Sequence, residues 1–268
     1  MTHLYKAAAG MDSLERLALG DSPVHRLHPL AKLITTIVFV GVVISFPSQS
    51  LAGQVPFLAY PLIMLPASGT PFKPLAGRFL CALPFSLMGA ISNLILMRET
   101  VMYLGSFALS AGLVSFASIM LKTFLTVFAA LLLAATTPFP DIGAQLAVLR
   151  VPKILCLQLV MTYRYIALLL SEASSMMRAY FLRSPRQKGI RMKDMGSFLG
   201  QLILRSIGRA GRVYHAMKCR GFDGTFRPQE AIVLQSGDLI YTAALVSGIV
   251  FLRFFNLSVF IGALAEGL

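Results

Sequence analysis

The sequence predicts an all-α integral membrane protein with about five transmembrane helices plus long cytoplasmic helices that cross near the membrane face. Three observations predict it. Of 268 residues, 56% are hydrophobic and 13% charged, where an ordinary soluble domain is about a quarter charged. Several apolar runs approach the length of about 20 residues that a spanning helix needs. The cations are bunched: the stretch 183–227 carries eleven Lys and Arg against Asp194 and Asp223.

The elements follow in order. Residues 1–29 are polar and form an N-terminal segment on the cytoplasmic side, without the pattern of a signal peptide. Leu30–Phe46 is the first expected span, with Lys32 at its basic edge. Leu51–Ser68 is the second, kinked by Pro56, Pro61 and Pro66. Phe79–Met97 is the third. Gly105–Thr136 is too long for one straight span and reads either as one tilted helix or as two pieces broken near Ser115–Ser118, with Lys122 inside it. These four make a transmembrane region over 30–137. A cytoplasmic helical region follows over 138–235, and 236–268 holds the last span, Gly237–Phe255, and the C-terminus.

Val151–Arg183 is hydrophobic enough to be read as a span. If it crossed, the basic residues Arg150 and Lys153 and the block 183–227 would lie on opposite sides, against the positive-inside rule. It also carries Gln158, Arg164 and Glu172, which are costly in hydrocarbon. It is therefore expected as a long helix partly at the membrane face. A second long helix is expected over Met195–Cys219, about 37 Å in length. On it Arg205, Arg209 and Arg212 form a secondary basic face, and Leu199, Leu202, Ile203, Ile207, Val213 and Met217 supply apolar surface.

Two helix ends repeat a pattern. "RAYFLRS" gives Ala179-x-x-x-Arg183-Ser184, and "HAMKCRG" gives Ala216-x-x-x-Arg220-Gly221, 37 residues further on. Pro185 and Gly221 are natural helix stops. One such arginine serves the helix macrodipole. A matched pair suits a partner with two acidic sockets, because the guanidinium fork binds a carboxylate bidentately.

Other chemistry is thin. The sequence has no GxxxxGK[ST] phosphate loop and no HExxH motif. Cys81, Cys156 and Cys219 stand singly, which excludes a CxxC metal or redox motif. His25 and His28 have no evident third ligand, and thirteen methionines are ordinary fillers of helix packing. No catalytic, metal or nucleic-acid site is assigned. Repeated spans with polar interiors, expected of a channel or secondary transporter, are not seen.

These residues resemble a known family, the transmembrane T component of energy-coupling factor (ECF) transporters of the cobalt type, CbiQ. The resemblance is carried by "LILRSIGRAGRVYHAMKCRGFDG", by "DSPVHRLHPLAKL" and by "RVPKILCLQLVMTYRYIALLLSEASSMMRAYFLRS". The family's two Ala-Arg-Gly-like motifs match Leu182-Arg183-Ser184 and Cys219-Arg220-Gly221, both of which keep the Arg and lose the Ala before it. The resemblance implies a non-catalytic scaffold without a cofactor of its own, whose region 138–235 holds the coupling helices, in an importer of cobalt ion, with nickel or a vitamin as the alternative substrate. It would dock on two ABC-type ATPase subunits, which bind the ATP, and on a substrate-binding membrane subunit with a small accessory subunit. His28 stands where the family usually has Asp and is given no role.

Overall fold

A computed structural model describes residues 15–47, 50–96, 100–104, 107–184, 187, 189–224 and 235–254. The helices α1 (Pro29–Ile44), α2 (Leu51–Ser68), α3 (Phe72–Leu96), α4 (Ala111–Thr136) and, late in the chain, α8 (Ser236–Phe254) belong to one compact unit. The helices α5 (Phe139–Val148), α6 (Lys153–Arg183) and α7 (Met192–Cys219) belong to a second. A short antiparallel hairpin, β1 (Thr100–Leu104) and β2 (Phe107–Ser110), precedes α4, and the other described elements are helical, as expected of an all-α membrane protein. Among the described residues five helices are long and apolar enough to cross a membrane, so the chain is a multi-pass membrane protein.

The five are α2, α3, α4, α6 and α8. The expected first span, α1, has 16 residues, about 24 Å, and is the shorter apolar helix of the first unit. The long helix set aside on charge grounds, α6, has the length and apolarity of a span. Length and apolarity measure one property of a helix, and the placement of its flanking cations measures another.

Prolines shape α2 as expected at its start: a four-residue α turn passes at Val55–Leu58, which holds Pro56, into a 3₁₀ turn, and α-helix resumes at Ala59. Gly69 closes α2 with φ +63°. The helix α4 runs unbroken from Ala111, so the break envisaged at Ser115–Ser118 does not occur. Both serines are fully buried. They receive side-chain amides, from Asn93 Nδ2 at 3.0 Å on Ser115 and from Gln54 Nε2 at 2.7 Å on Ser118. Polar residues that look like a helix break are thus interhelical hydrogen-bonding points. The third span starts earlier than expected, at Phe72, and α7 starts at Met192 rather than Met195. Expectations for residues 1–14, Met97, Gly105, Pro185 and Phe255 fall outside the described residues.

The core of the first unit is aromatic and aliphatic. Phe39, Val43, Phe46, Phe57, Leu125, Ala129 and Ile249 form one buried cluster. Tyr60 stacks on Phe39 at 4.3 Å between centroids, and Phe46 meets Phe57 edge-on at 5.4 Å.

Two lysines frame this core. Lys32, in the first turn of α1, is 3% exposed and donates to Thr136 O at 2.8 Å and His25 O at 3.3 Å. Lys122 donates to Phe46 O at 2.7 Å. Lys32 thus reaches the last carbonyl of α4, and Lys122 reaches Ile44 O, the last of α1, at 3.5 Å as well as Phe46 O two residues beyond it. The last carbonyls of a helix have no intrahelical donor, and they carry the negative end of its dipole. An ammonium group answers both needs at once.

The two ends of α1 are further pinned. Asp238 Oδ1 accepts from His28 N at 2.9 Å, and its Oδ2 accepts from Gln235 N at 3.0 Å. One carboxylate thus serves the start of α1 and the start of α8. His28 caps α1, its Nδ1 accepting from Leu30 N at 3.1 Å. This gives a physical role to a residue that had none. At the far end the Arg253 guanidinium lies 4.4 Å over the Phe46 ring.

Replacing Lys122 by Met keeps the volume and removes the donor to Phe46 O. The expected cost is about 1.5–3 kcal/mol, the range for hydrogen bonds to charged groups. It should appear as a lower melting temperature of the detergent-solubilised protein, and Lys122→Arg should restore part of it.

Candidate functional site

The second unit is built on two long helices. The first, α6, packs its N-terminal half on α5: Phe139 stacks on Tyr163 at 4.7 Å between centroids. A Cβ on Gly143 would lie 2.7 Å from Val160 Cγ2, so only glycine admits this approach. Between the helices Arg150 holds φ +64°, which tightens the turn.

At its other end α6 stops at Arg183. Ser184 leaves the helix at φ −135°, ψ 66°, and its N–H returns to Phe181 O at 3.2 Å. Ala179, Leu182 and Arg183 are exposed, Leu182 by 84%. Ser184 is half-buried.

The end of α7 is closed differently. Arg220 is the cap residue, and Gly221 follows at φ +82°. Gly221 N–H donates to Lys218 O and Phe222 N–H to Met217 O, both at 3.0 Å. That pair of bonds is a Schellman motif, and it needs the left-handed φ that glycine accepts without strain. Ala216, Cys219, Arg220 and Gly221 are all exposed. The eight residues singled out from sequence therefore sit at two helix ends. Neither Arg183 nor Arg220 has an ion-pair partner among the described residues.

The secondary basic face divides. Arg205 Nη1 lies 2.5 Å from Glu172 Oε1, and Arg209 Nη2 lies 3.3 Å from Glu172 Oε2. Two of the three arginines are thus spent within the chain on a carboxylate of α6. Arg212 is exposed and has no such pair among the described residues. The apolar set divides too. Leu202, Val213 and Met217 are half-buried, whereas Leu199, Ile203 and Ile207 are exposed by 48%, 57% and 64%. The exposed trio, with Leu204, leaves an apolar strip on α7.

Sequence reasoning missed the connection between the helices. The Tyr180 hydroxyl lies 2.6 Å from Asp194 Oδ2 and 2.7 Å from Gln187 Oε1. Arg191 Nε donates to the same Asp194 oxygen at 2.9 Å. Asp194 also sits in the first turn of α7, where its charge suits the dipole. The signal was available: Asp194 and Glu172 are the two acids of α6 and α7. A lone acid among many bases tends to find one.

Both histidine rings make hydrogen bonds within the chain. His25 Nε2 contacts Leu17 O at 2.9 Å and Ala135 O at 3.3 Å, so this nitrogen carries the hydrogen. Nδ1 lies 2.7 Å from Ser22 Oγ. No group of three His, Cys, Asp or Glu stands together among the described residues.

Residues 20–231 match the CbiQ family of cobalt transport proteins. The chain belongs to that family. It is therefore a component of a transport system in a membrane. Over 106 residues it is also 33% identical to the nickel permease LarQ of Lactiplantibacillus plantarum. That match covers 40% of this chain and spans about two fifths, 39%, of the relative's length.

The Tyr180 hydrogen bond and then Arg191 hold the Asp194 carboxyl below the usual carboxylate range. A depressed folded-state pKa contributes stability that is present above the unfolded value and lost as pH falls through the folded one. Acidification below the ordinary carboxylate range should therefore raise amide exchange at residues 191–194. Asp194→Asn should show that faster exchange already at neutral pH and little further acid dependence.

Proposed function

We propose that this chain is the transmembrane coupling subunit of an ECF-type importer in a bacterial cytoplasmic membrane. Arg183 and Arg220 are the contact points for two ABC-type ATPase subunits, each arginine entering an acidic socket. The observation that carries this reading is the pair of exposed arginines, each set at the terminus of a long helix without an ion-pair partner among the described residues. A cation on a long rigid lever suits force transmission better than a cation on a loop. Leu182, Cys219, Ser184 and Gly221 flank the two guanidinium groups, and Ala179 and Ala216 leave room beside them. ATP is bound by the partners, and the chemistry of hydrolysis is theirs.

The second partner is a substrate-binding membrane subunit with a small accessory subunit. The exposed strip of Leu199, Ile203, Leu204 and Ile207 is apolar surface of the kind such a subunit, or lipid, would cover. The transported substrate is a divalent transition-metal cation. Cobalt is favoured by the family description, and nickel by the name of the relative. The N-terminus and the helices α6 and α7 face the cytoplasm, as the cluster of cations at 183–227 supports.

Arg183→Glu or Arg220→Glu should each reduce copurification of the ATPases by at least tenfold, and the double variant should abolish uptake of radiolabelled cobalt. Wild-type assembly and uptake in the double variant would overturn the reading. Competition of that uptake by unlabelled nickel separates the two substrates. Labelling of Ser197→Cys from outside intact cells would overturn the orientation.

A further inference from the structure

The crossing of α6 and α7 has an unusual composition. None of the described residues of α7 is fully buried. Its half-buried positions include Phe198, Leu202, Ser206, Arg209, Val213 and Met217, a stripe spaced three or four apart along one face. The two central positions of that stripe are polar. Ser206 is satisfied within its own helix, its hydroxyl donating to Leu202 O at 2.7 Å. Arg209 turns to Glu172. An ion pair therefore occupies the place where interlocking apolar side chains would normally fix one helix on another.

That ion pair is itself divided. Glu172 is the acid of α6, and it is shared between Arg205 and Arg209, which lie one helical turn apart on α7. The two pairings are unequal, 2.5 Å to Arg205 and 3.3 Å to Arg209. Glycines at 208 and 211 flank the second arginine, so backbone bulk there is small. Interlocked apolar knobs resist axial displacement because each must leave its hole. A carboxylate between two equivalent donors does not, since it gains one pair as it loses the other.

We propose that Glu172 is a positioning residue, a latch with two settings that lets α7 shift along α6 by up to one turn, about 5.4 Å, without losing its ion pair. In one setting Arg205 carries the pair, and in the other Arg209 does. The displacement changes how far the Arg220 end lies from the Arg183 end. Its consequence for transport rests on the coupling reading proposed above, but the latch itself does not.

Spin labels at Leu182→Cys and Tyr214→Cys test it, in the full chain in lipid nanodiscs, with the exposed Cys81 and Cys219 replaced by serine. Arg205→Gln should move the mean label distance one way and Arg209→Gln the other, by a few ångströms each. Glu172→Gln should broaden the distribution. The charge-reversed triple variant, Glu172→Arg with Arg205→Glu and Arg209→Glu, should narrow it again, which a loss of folding would not allow. Equal distances in both single variants, or an unbroadened distribution in Glu172→Gln, would overturn the latch. Uptake by the unlabelled Arg205→Gln and Arg209→Gln variants, with Leu182 and Cys219 intact in the assembled transporter, separates the two readings: shifted distances with wild-type uptake would keep the latch and overturn its place in coupling.

Discussion

The first unit depends on the reciprocal exchange of lysines between α1 and α4. Lys32 and Phe46 lie 14 residues apart on one strand of the exchange, Lys122 and Thr136 the same number apart on the other. Equal spacing is what two antiparallel helices at a fixed register require. At 1.5 Å per residue the two anchor points are about 21 Å apart, within a hydrocarbon core about 30 Å thick. Apolar packing between membrane helices has no strong hydrophobic drive, because lipid tails are equally apolar. Satisfying terminal carbonyls does discriminate, since an unpaired carbonyl away from water is costly. The aromatic cluster around Phe39 and Phe57 then packs against helices whose register is already set. Asp238 and Arg253 extend the arrangement to α8, one at each end.

Much of this was legible in the sequence, and the parts that were not share a cause. The spans could be found because apolar runs of sufficient length report burial in lipid directly. The kink of α2 followed from Pro56, whose geometry is local. Lys32, Lys122, Ser115 and Ser118 were each misread or left open. Their partners are 22 to 104 residues away on other helices, and distance in sequence hides the contact. A lysine beside an apolar run looks like a boundary until the carbonyl it serves is known. The same holds for His28, whose value comes from capping its own helix while its backbone meets Asp238. At the candidate site the two arginine ends were legible because each is written in a few adjacent residues. Glu172 and Tyr180 were not, because their partners lie on the next helix.

The two units use charge in different ways. In the first, lysines meet backbone carbonyls, which cannot move without breaking a helix. In the second, arginines meet one side-chain carboxylate that is 23% exposed and can reorient. The first arrangement fixes a register, while the second tolerates a choice. An exposed ion pair adds little to stability, about 0–1 kcal/mol. The ion pairs at the crossing of α6 and α7 therefore contribute little to its stability. A packed core there would have been more stable and less able to change.

The two helix ends extend this contrast. They look alike in sequence, with an arginine 37 residues on from its counterpart and a stop beside each. Their construction differs. The α7 end is closed by two backbone bonds at 3.0 Å around Gly221, a local device that depends on nothing else. The α6 end has a single return bond at Ser184, and its last turn is tied through Tyr180 to Asp194 at the start of α7. Arg220 is thus placed by its own helix, whereas the placement of Arg183 depends on where the next helix begins. A displacement of α7 along α6 would strain that tie at Tyr180 while leaving the Schellman closure untouched. Two helix ends of equal charge are therefore built differently, and the Arg183 end is the one tied to the neighbouring helix.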